Sequence, residues 1–272
     1  MRTSHKTILL CAIMVMNAGS RLATAQNAGA SSGYPEPKDG LKDQARRGKG
    51  LYRRYCVGCH GVRGDGNGEN APYLDPKPRD FTLATFKCRS TPTGSLPLDS
   101  DLYGTISRGI HGSGMPSWNP LTHEQRLELI AYVKTFSPRF REEKLAAPLP
   151  VPPEPPASAE SVKRGAAIFQ DTNCWSCHGK DGRGNGPSAL TLTDSKGYPI
   201  RPYDLTSGTR FKCGSSGWEL FRVLMTGLDG TPMPSFKDAL KPDQLWDLVH
   251  YIQTLRAVPG KETSQVKAEP RP

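Results

Sequence analysis

One short motif occurs twice in this chain and constrains its fold more than any other feature. The stretch CVGCHGVRGDGNG occupies residues 56–68, and a close copy, CWSCHGKDGRGNG, occupies residues 174–186. Each copy contains two cysteines separated by two residues, a histidine directly after the second cysteine, and a glycine-rich loop. Motifs that repeat at a spacing above about 100 residues indicate duplicated domains and not a solenoid of short repeats.

The similarity between the two halves extends on both sides of this motif. Before it, an Arg-Gly pair is followed four residues later by an aromatic residue, as Gly48/Tyr52 and as Gly165/Phe169. After it come an FKC tripeptide, a Met-Pro-Ser-aromatic segment and a final amphipathic segment, in the same order in both halves. This order predicts two domains of the same fold.

The composition of the chain and the distribution of its prolines indicate where these domains begin and end. Seven prolines between residues 137 and 160 favour an extended, semi-rigid spacer. Only 36% of the residues are hydrophobic, so something besides side chains is expected to fill the cores. The predicted segments are a signal peptide (1–25), a flexible leader (26–40), a first domain (41–137), a Pro-rich linker (138–157), a second domain (158–257) and a flexible tail (258–272).

The first residues have the pattern of a cleavable export signal. Arg2 and Lys6 precede an apolar run over residues 8–16, and Ala23-Thr24-Ala25 forms a cleavage site before Gln26. The run is too short to span a bilayer, and no other stretch predicts a membrane span. Without residues 1–25, the chain has 33 basic and 26 acidic residues, a net charge of +7. Export to the periplasm argues against nucleic acid as a partner.

The periodicity of each half predicts mostly helix and few strands. The final segment of the first half begins with Thr122 and Gln125 in capping-box spacing, followed by an apolar face of Leu127, Ile130, Ala131 and Val133. The final segment of the second half has Pro242 in its first turn. Its predicted apolar stripe consists of Leu245, Leu248, Val249 and Ile252. The fold class is therefore all-α.

The C-x-x-C-H motif is an attachment signature for c-type haem. Two thiols one helical turn apart add to the two vinyl groups of the porphyrin, and the adjacent histidine becomes an axial ligand of the iron. We therefore expect two covalently attached haem c groups. The residues predicted to hold the first haem are the attachment cysteines Cys56 and Cys59 and the axial ligand His60. Those predicted for the second haem are Cys174, Cys177 and His178.

Other uses of these cysteines fit less well. A zinc site would need four ligands, but the two pairs lie in different halves and each is followed by a histidine. A thioredoxin-like redox pair needs a βαβ context, which the sequence lacks. A disulfide within either pair would close a small, strained ring.

Two methionines are the candidates for the second axial position of each haem. Met115 and Met233 each lie six residues after a repeat-matched glycine, Gly109 or Gly227, and each begins a Met-Pro-Ser-aromatic segment. A lone methionine is commonly a core residue. Matched positions in Gly/Pro-rich loops, outside any helical stripe, favour ligation. His/Met ligation raises the reduction potential and suits electron transfer.

Both halves resemble class I cytochrome c domains. The resemblance rests on the Gly-x-x-x-aromatic helix, C-x-x-C-H, the Met-Pro loop and the final helix, and covers about residues 41–137 and 158–256. It implies that the first and last helices cross with Gly48 and Tyr52 against Tyr132. The same crossing in the second half is implied for Gly165 and Phe169 against Tyr251. Residues 86–103 also resemble a segment of periplasmic dihaem cytochromes c associated with respiratory chains.

The remaining pair, Cys88 and Cys213, occupies the same place in both halves. An exported protein with an even number of cysteines favours a disulfide between them, joining the two domains. Two buried free thiols, or a thiolate ligand to one iron as in thiosulfate dehydrogenase-like dihaem proteins, are the alternatives. Arg79 and Arg201 lie in matched Pro-rich segments, where either one can pair with a haem propionate or remain a surface charge.

The function expected from these features is transfer of single electrons between respiratory redox proteins in the periplasm, without catalytic residues. The expected partners are a protein donor and acceptor, which include membrane or periplasmic oxidoreductases. Two alternatives stay open: a catalytic dihaem enzyme of the thiosulfate dehydrogenase or peroxidase type, and an electron-relay subunit of a larger oxidoreductase.

Overall fold

The structure is a computed structural model that describes residues 40–208 and 210–256. The predicted signal peptide, the predicted leader up to residue 39 and the predicted tail lie outside the described residues. Within the described part, the chain is helical and contains no strand, apart from an isolated bridge between Thr193 and Pro199. The all-α prediction is confirmed. No helix in the described part is long and apolar enough to cross a membrane.

The helices fall into two sets in the same order. The first domain contains α1 (Leu41–Tyr55), α2 (Val57–His60), a 3-10 turn (Ala71–Tyr73), α3 (Asp99–Arg108) and α4 (His123–Lys134). A short helix, α5 (Arg139–Glu142), follows. The second domain contains α6 (Ala159–Asp171), α7 (Cys174–His178), α8 (Gly217–Thr226) and α9 (Pro242–Leu255).

The first and last helices of each domain cross at a glycine, as the resemblance implied. A Cβ atom at Gly48 would collide with the backbone carbonyl of Glu128 and would lie 3.0 Å from the Cβ of Tyr132. The rings of Tyr52 and Tyr132 pack beside this point with centroids 5.2 Å apart. The absent side chain therefore allows α1 to approach the backbone of α4.

The second domain repeats this crossing. A Cβ at Gly165 would collide with the carbonyl of Asp247 and would lie 2.8 Å from the Cβ of Tyr251. The rings of Phe169 and Tyr251 are in contact with centroids 5.4 Å apart. In each domain, this crossing brings the first and last helices into close contact.

The last helices begin where the sequence predicts. Thr122 caps α4, since its hydroxyl accepts from the Gln125 N–H at 3.2 Å and the Gln125 side chain accepts from the Thr122 N–H at 2.9 Å. Pro242 is the first residue of α9. All four residues of the predicted α9 stripe are buried. The predicted apolar face of α4 was partly wrong. Leu127, which it included, is only partly buried, whereas Leu129, which it left out, is buried.

The C-x-x-C-H motif was expected at the C-terminal end of the first helix, but it forms a separate helical turn. In the second domain, Asn173 adopts a left-handed conformation with φ of 57° and separates α6 from α7. In the first domain, Cys56 lies between α1 and α2.

The two domains are joined by the disulfide Cys88–Cys213 and by ion pairs. Arg89 is fully buried, and its guanidinium lies 2.9 Å from the carboxylate of Asp229 in the other domain. The predicted linker over 138–157 is also fixed, since it contains α5 and since the Leu149 N–H donates to the Ser90 carbonyl at 2.8 Å. Leu149 and Val151 pack against the core of the second domain. The linker is thus part of the packed structure.

Candidate functional site

Each domain contains a largely apolar cavity that is lined by the residues selected from the sequence. The first, of about 140 Å³, is lined by Cys56, Cys59, His60 and Met115 among others. The second, of about 370 Å³, is lined by their counterparts Cys174, Cys177, His178 and Met233. The structure therefore brings both predicted sets of haem residues together, one set in each domain.

His60 is held by a backbone carbonyl on the far side of its ring. Its Nδ1 lies 3.0 Å from the carbonyl oxygen of Arg79. A carbonyl can only accept, so Nδ1 carries the proton and Nε2 is left with its lone pair. The ring stacks on Phe81 at 4.3 Å between centroids, and burial lowers the pKa of His60. The neutral imidazole is the form that binds iron.

His178 is arranged in the same way. Its Nδ1 lies 3.2 Å from the carbonyl oxygen of Tyr203, and burial again lowers the pKa of the imidazole. Tyr203 thus takes the structural place of Arg79. The two predicted arginines are therefore not equivalent positions, although their segments match. Arg79 lines the first cavity and is half-buried, whereas Arg201 lines the second and is exposed.

The four motif cysteines are free thiols that face the cavities. Burial raises the pKa of Cys56 to about 12 and also raises the pKa of Cys174. The Cys56 and Cys174 thiols are thus neutral at physiological pH in an apolar setting. Such a setting suits addition to an apolar porphyrin edge and does not suit a metal thiolate.

The two methionine loops have matching hydrogen bonds. The carbonyl of Met115 accepts from the Ile110 N–H, and the carbonyl of Met233 accepts from the Leu228 N–H, both at 3.1 Å. A hydroxyl of Ser113 or Thr231 accepts from the N–H of the corresponding methionine at 3.3 Å. Each thioether is therefore placed on a constrained turn and not on a mobile loop. Trp118 lines the first cavity and Phe236 lines the second.

Cys88 and Cys213 form a disulfide with a 2.04 Å S–S bond. Their sulfur atoms are therefore not thiolates that can bind iron. The disulfide lies between the two cavities, since Cys88 lines the first and Cys213 lines the second.

Sequence reasoning missed one residue at this junction. Lys87, directly before Cys88, lines both cavities. The repeated FKC tripeptide was the signal, because it places Lys87 and Lys212 beside the paired cysteines. The tripeptide alone does not place these lysines between the cavities, because their position depends on how the two domains dock.

The cavities fit the haem groups that the motifs imply. Each is apolar, is lined by a pair of cysteines that form no disulfide, and has an imidazole Nε2 free for coordination. When bound, each haem supplies a one-electron iron couple whose potential depends on its axial ligands and burial. The protein contributes the cavity, the fixed histidines and the separation between the two sites.

Comparison with known proteins agrees with this geometry. Residues 162–256 match the cytochrome c family model, and residues 43–133 match the model of the cbb3-type cytochrome c oxidase subunit III. The two matches coincide with the two helical domains. The chain therefore belongs to the cytochrome c family and is a tandem member with two covalently attached haem c groups.

A solved structure resembles almost the whole described region. A chain of the Kuenenia stuttgartiensis reducing HAO-like protein complex Kustc0457/Kustc0458 is 42% identical, with a TM-score of 0.76. The similarity covers 78% of this chain and 96% of that one.

Two other relatives are more distant. FixP, a cbb3-type cytochrome c oxidase subunit of Sinorhizobium medicae, is 28% identical over 147 residues, which are 51% of this chain and 40% of FixP. The chain thus spans well under half of that relative. Thiosulfate dehydrogenase TsdBA of Marichromatium purpuratum is 18% identical with a TM-score of 0.29, over 80% of this chain and 47% of the other. That similarity is too weak to indicate a shared activity.

Proposed function

We propose that this protein is an exported dihaem electron carrier that passes single electrons between respiratory redox proteins. The observation that carries this proposal is the pairing of His60 with Met115 in one cavity and of His178 with Met233 in the other. With these four residues as axial ligands, both coordination positions of each iron are filled. A site without an open position transfers electrons and does not bind a substrate at the metal.

The same observation argues against the catalytic alternatives. A peroxidase needs an iron with a vacant or labile position. A thiosulfate dehydrogenase-like site with a cysteine ligand would need a free thiolate. Both Cys88 and Cys213 are in the disulfide, which leaves neither sulfur free.

Electron paramagnetic resonance of the oxidised, haem-loaded protein tests this proposal. We expect two low-spin signals typical of His/Met ligation, and no carbon monoxide binding to the reduced protein. A high-spin haem, a thiolate-ligated haem or one bound carbon monoxide per chain would contradict the carrier role and would call for assays with thiosulfate and peroxide.

A second candidate role is that of an electron-relay subunit held in a larger oxidoreductase. It is favoured by the 42% identity to a chain of the Kuenenia stuttgartiensis reducing HAO-like protein complex, 96% of which the similarity covers. Native mass spectrometry of the untagged protein, purified from its own source, separates the two roles. A free carrier gives the mass of the single chain with two haems, whereas a relay subunit gives a stoichiometric complex with a second protein.

Export is a separate part of the proposal. It rests on the signal-peptide pattern of residues 1–25. Haem attachment and disulfide formation both take place in the bacterial periplasm, which agrees with a Cys88–Cys213 bond. N-terminal sequencing of the mature protein should begin at Gln26. A chain that retains Met1 would overturn this part and leave the electron-transfer proposal intact.

A further inference from the structure

The two haem cavities are neighbours, and each domain contributes a lysine to the region between them. Lys87 belongs to the first domain, yet it lines the second cavity as well as the first. Lys212, its repeat-matched partner, lines the second cavity. The Cys88–Cys213 disulfide fixes both lysines to the same place, since each directly precedes one of the bonded cysteines.

Arg79 adds a third positive group to this junction. It lines the first cavity, and its guanidinium lies against Gly230 on the methionine loop of the second domain. The arrangement is reciprocal, because Tyr203, the counterpart of Arg79, lies against Gly112 on the methionine loop of the first domain. Three cationic side chains from two domains are therefore held between two cavities.

Within the described part of the chain, these cations have carboxylates nearby but none at ion-pair distance: Arg79 is influenced by Asp194, Asp229 and Asp80, and Lys212 by Asp75. Across residues 40–208 and 210–256, the side chains of Lys87, Lys212 and Arg79 form no ion pair. The Lys212 ammonium instead lies 3.5 Å from the Gly112 carbonyl and 5.6 Å from the centre of the Tyr203 ring. Burial, together with the positive charges of Arg79 and Lys212, lowers the pKa of Lys87 to about 7, and Asp194 offsets only part of this effect.

Grouped, partly buried charges of one sign are costly unless opposite charges accompany them. Each haem c brings two propionate carboxylates, so the two haems that this chain carries would supply further negative charge at these cavities. A lysine that lines both cavities can meet carboxylates from both haems. The Arg89–Asp229 pair, by contrast, is already neutralised within the protein.

We propose that Lys87, with Lys212 and Arg79, forms one carboxylate-binding site shared by the propionates of the two haems. Lys87 is a positioning residue in this site. Its charge acts on both irons at once and favours the reduced form of each, since reduction lowers the positive charge of the iron. The proposal depends on the two bound haems and not on whether the protein is a carrier or an enzyme.

Spectroelectrochemical titration of the two haems in Lys87→Met tests the shared site. We expect both midpoint potentials to fall relative to the unsubstituted protein, because one positive charge is removed near each iron. Lys87→Arg retains the charge and should leave both potentials close to their original values. A shift of only one potential, or of neither, in a Lys87→Met protein that keeps two haems would overturn the proposal.

Lys77→Met is the matched control. Lys77 lines the first cavity alone, and its ammonium already bonds the carbonyls of Ala71 and Pro72 at 3.1 and 2.8 Å. Its removal should leave at least one potential unchanged. If Lys87→Met does not retain two haems, Lys87→Gln replaces it and is interpreted by the same criterion. The ligand assignment of the carrier proposal is tested separately by the low-spin signals, so the two proposals can fail independently.

Discussion

Cys88 and Cys213 are 125 residues apart in the chain and lie with their Cα atoms 5.2 Å apart across the two domains. The bond joins corresponding points of the two repeats, at the junction of the two haem cavities. Distance is the main factor that a protein controls in electron transfer between fixed cofactors. A covalent bond at this junction therefore stabilises the relative position of the two haem sites as well as the fold.

Removing this disulfide should destabilise the haem-loaded protein. Closing a loop of this length restricts the unfolded chain, so Cys88→Ala/Cys213→Ala should lower the free energy of unfolding by about 2–5 kcal/mol. Guanidinium unfolding measures the change. Dithiothreitol should lower the free energy of unfolding of the unsubstituted protein to that of the double variant. It should not change the free energy of unfolding of the variant. Equal midpoints for both proteins without reductant would show that the interface does not depend on the bond.

The crossing of α1 and α4 should not tolerate a side chain at Gly48. The Cβ of Gly48→Ala would push the helix away from the Glu128 carbonyl, and overpacking of this kind costs about 1–3 kcal/mol. Gly50→Ala is the control, because Gly50 lies on the same helix with nothing within 4 Å of its added Cβ. That change should raise the free energy of unfolding by up to about 1 kcal/mol. Thermal unfolding of both variants gives the comparison, and equal destabilisation would contradict the proposed contact.

Local sequence was sufficient to predict the parts of the site that depend on short spacing. The C-x-x-C-H turns, the Met-Pro loops and the capping box of Thr122 are each encoded within a few neighbouring residues. The break before α7 was missed because it depends on one left-handed residue, Asn173, whose conformation the helical pattern does not reveal.

The contacts between the domains could not be predicted in the same way. Arg89 meets Asp229, and Lys87 reaches the second cavity, only because two folded surfaces dock. No periodicity in either half encodes that docking. The repeated FKC tripeptide indicated that something was shared at this position, but the structure was needed to place its lysines between the cavities.

Replacing one candidate methionine should leave a vacant axial position on one haem iron and should not affect the other iron. If Met115 is an axial ligand, reduced Met115→Ala should bind one carbon monoxide per chain, while the unsubstituted protein binds none. Met233→Ala should behave in the same way for the other haem. Met225→Leu is the control, because Met225 is buried in α8 and lines neither cavity. Titration followed by absorbance gives the stoichiometry, and an unreactive Met115→Ala protein would remove Met115 from the ligand set.

Glu219 lies in the first turn of α8 and contacts both its own domain and the other one. Its carboxylate accepts from the Ser215 and Ser216 N–H groups at 2.8 and 3.1 Å and lies 3.7 Å from Arg108 of the other domain. Burial acts to raise the pKa of Glu219, but these hydrogen bonds and Arg108 together lower it below its ordinary value. The stabilisation is therefore complete above the pKa of the unfolded chain and is lost as the pH falls through the lower pKa of the folded protein.

Glu219→Gln keeps the shape of the side chain and removes this charge. At pH 7 the variant should lose about 1–2 kcal/mol of unfolding free energy, since a charge-assisted hydrogen bond is replaced by a neutral one. The difference from the unsubstituted protein should shrink on acidification and vanish once Glu219 is protonated in both states. Denaturant unfolding at a series of pH values measures this, with the exposed Glu142→Gln as a control that shows little difference throughout. If the difference in unfolding free energy between the unsubstituted protein and Glu219→Gln stays constant down to low pH, then packing, and not the carboxylate charge, is responsible for it.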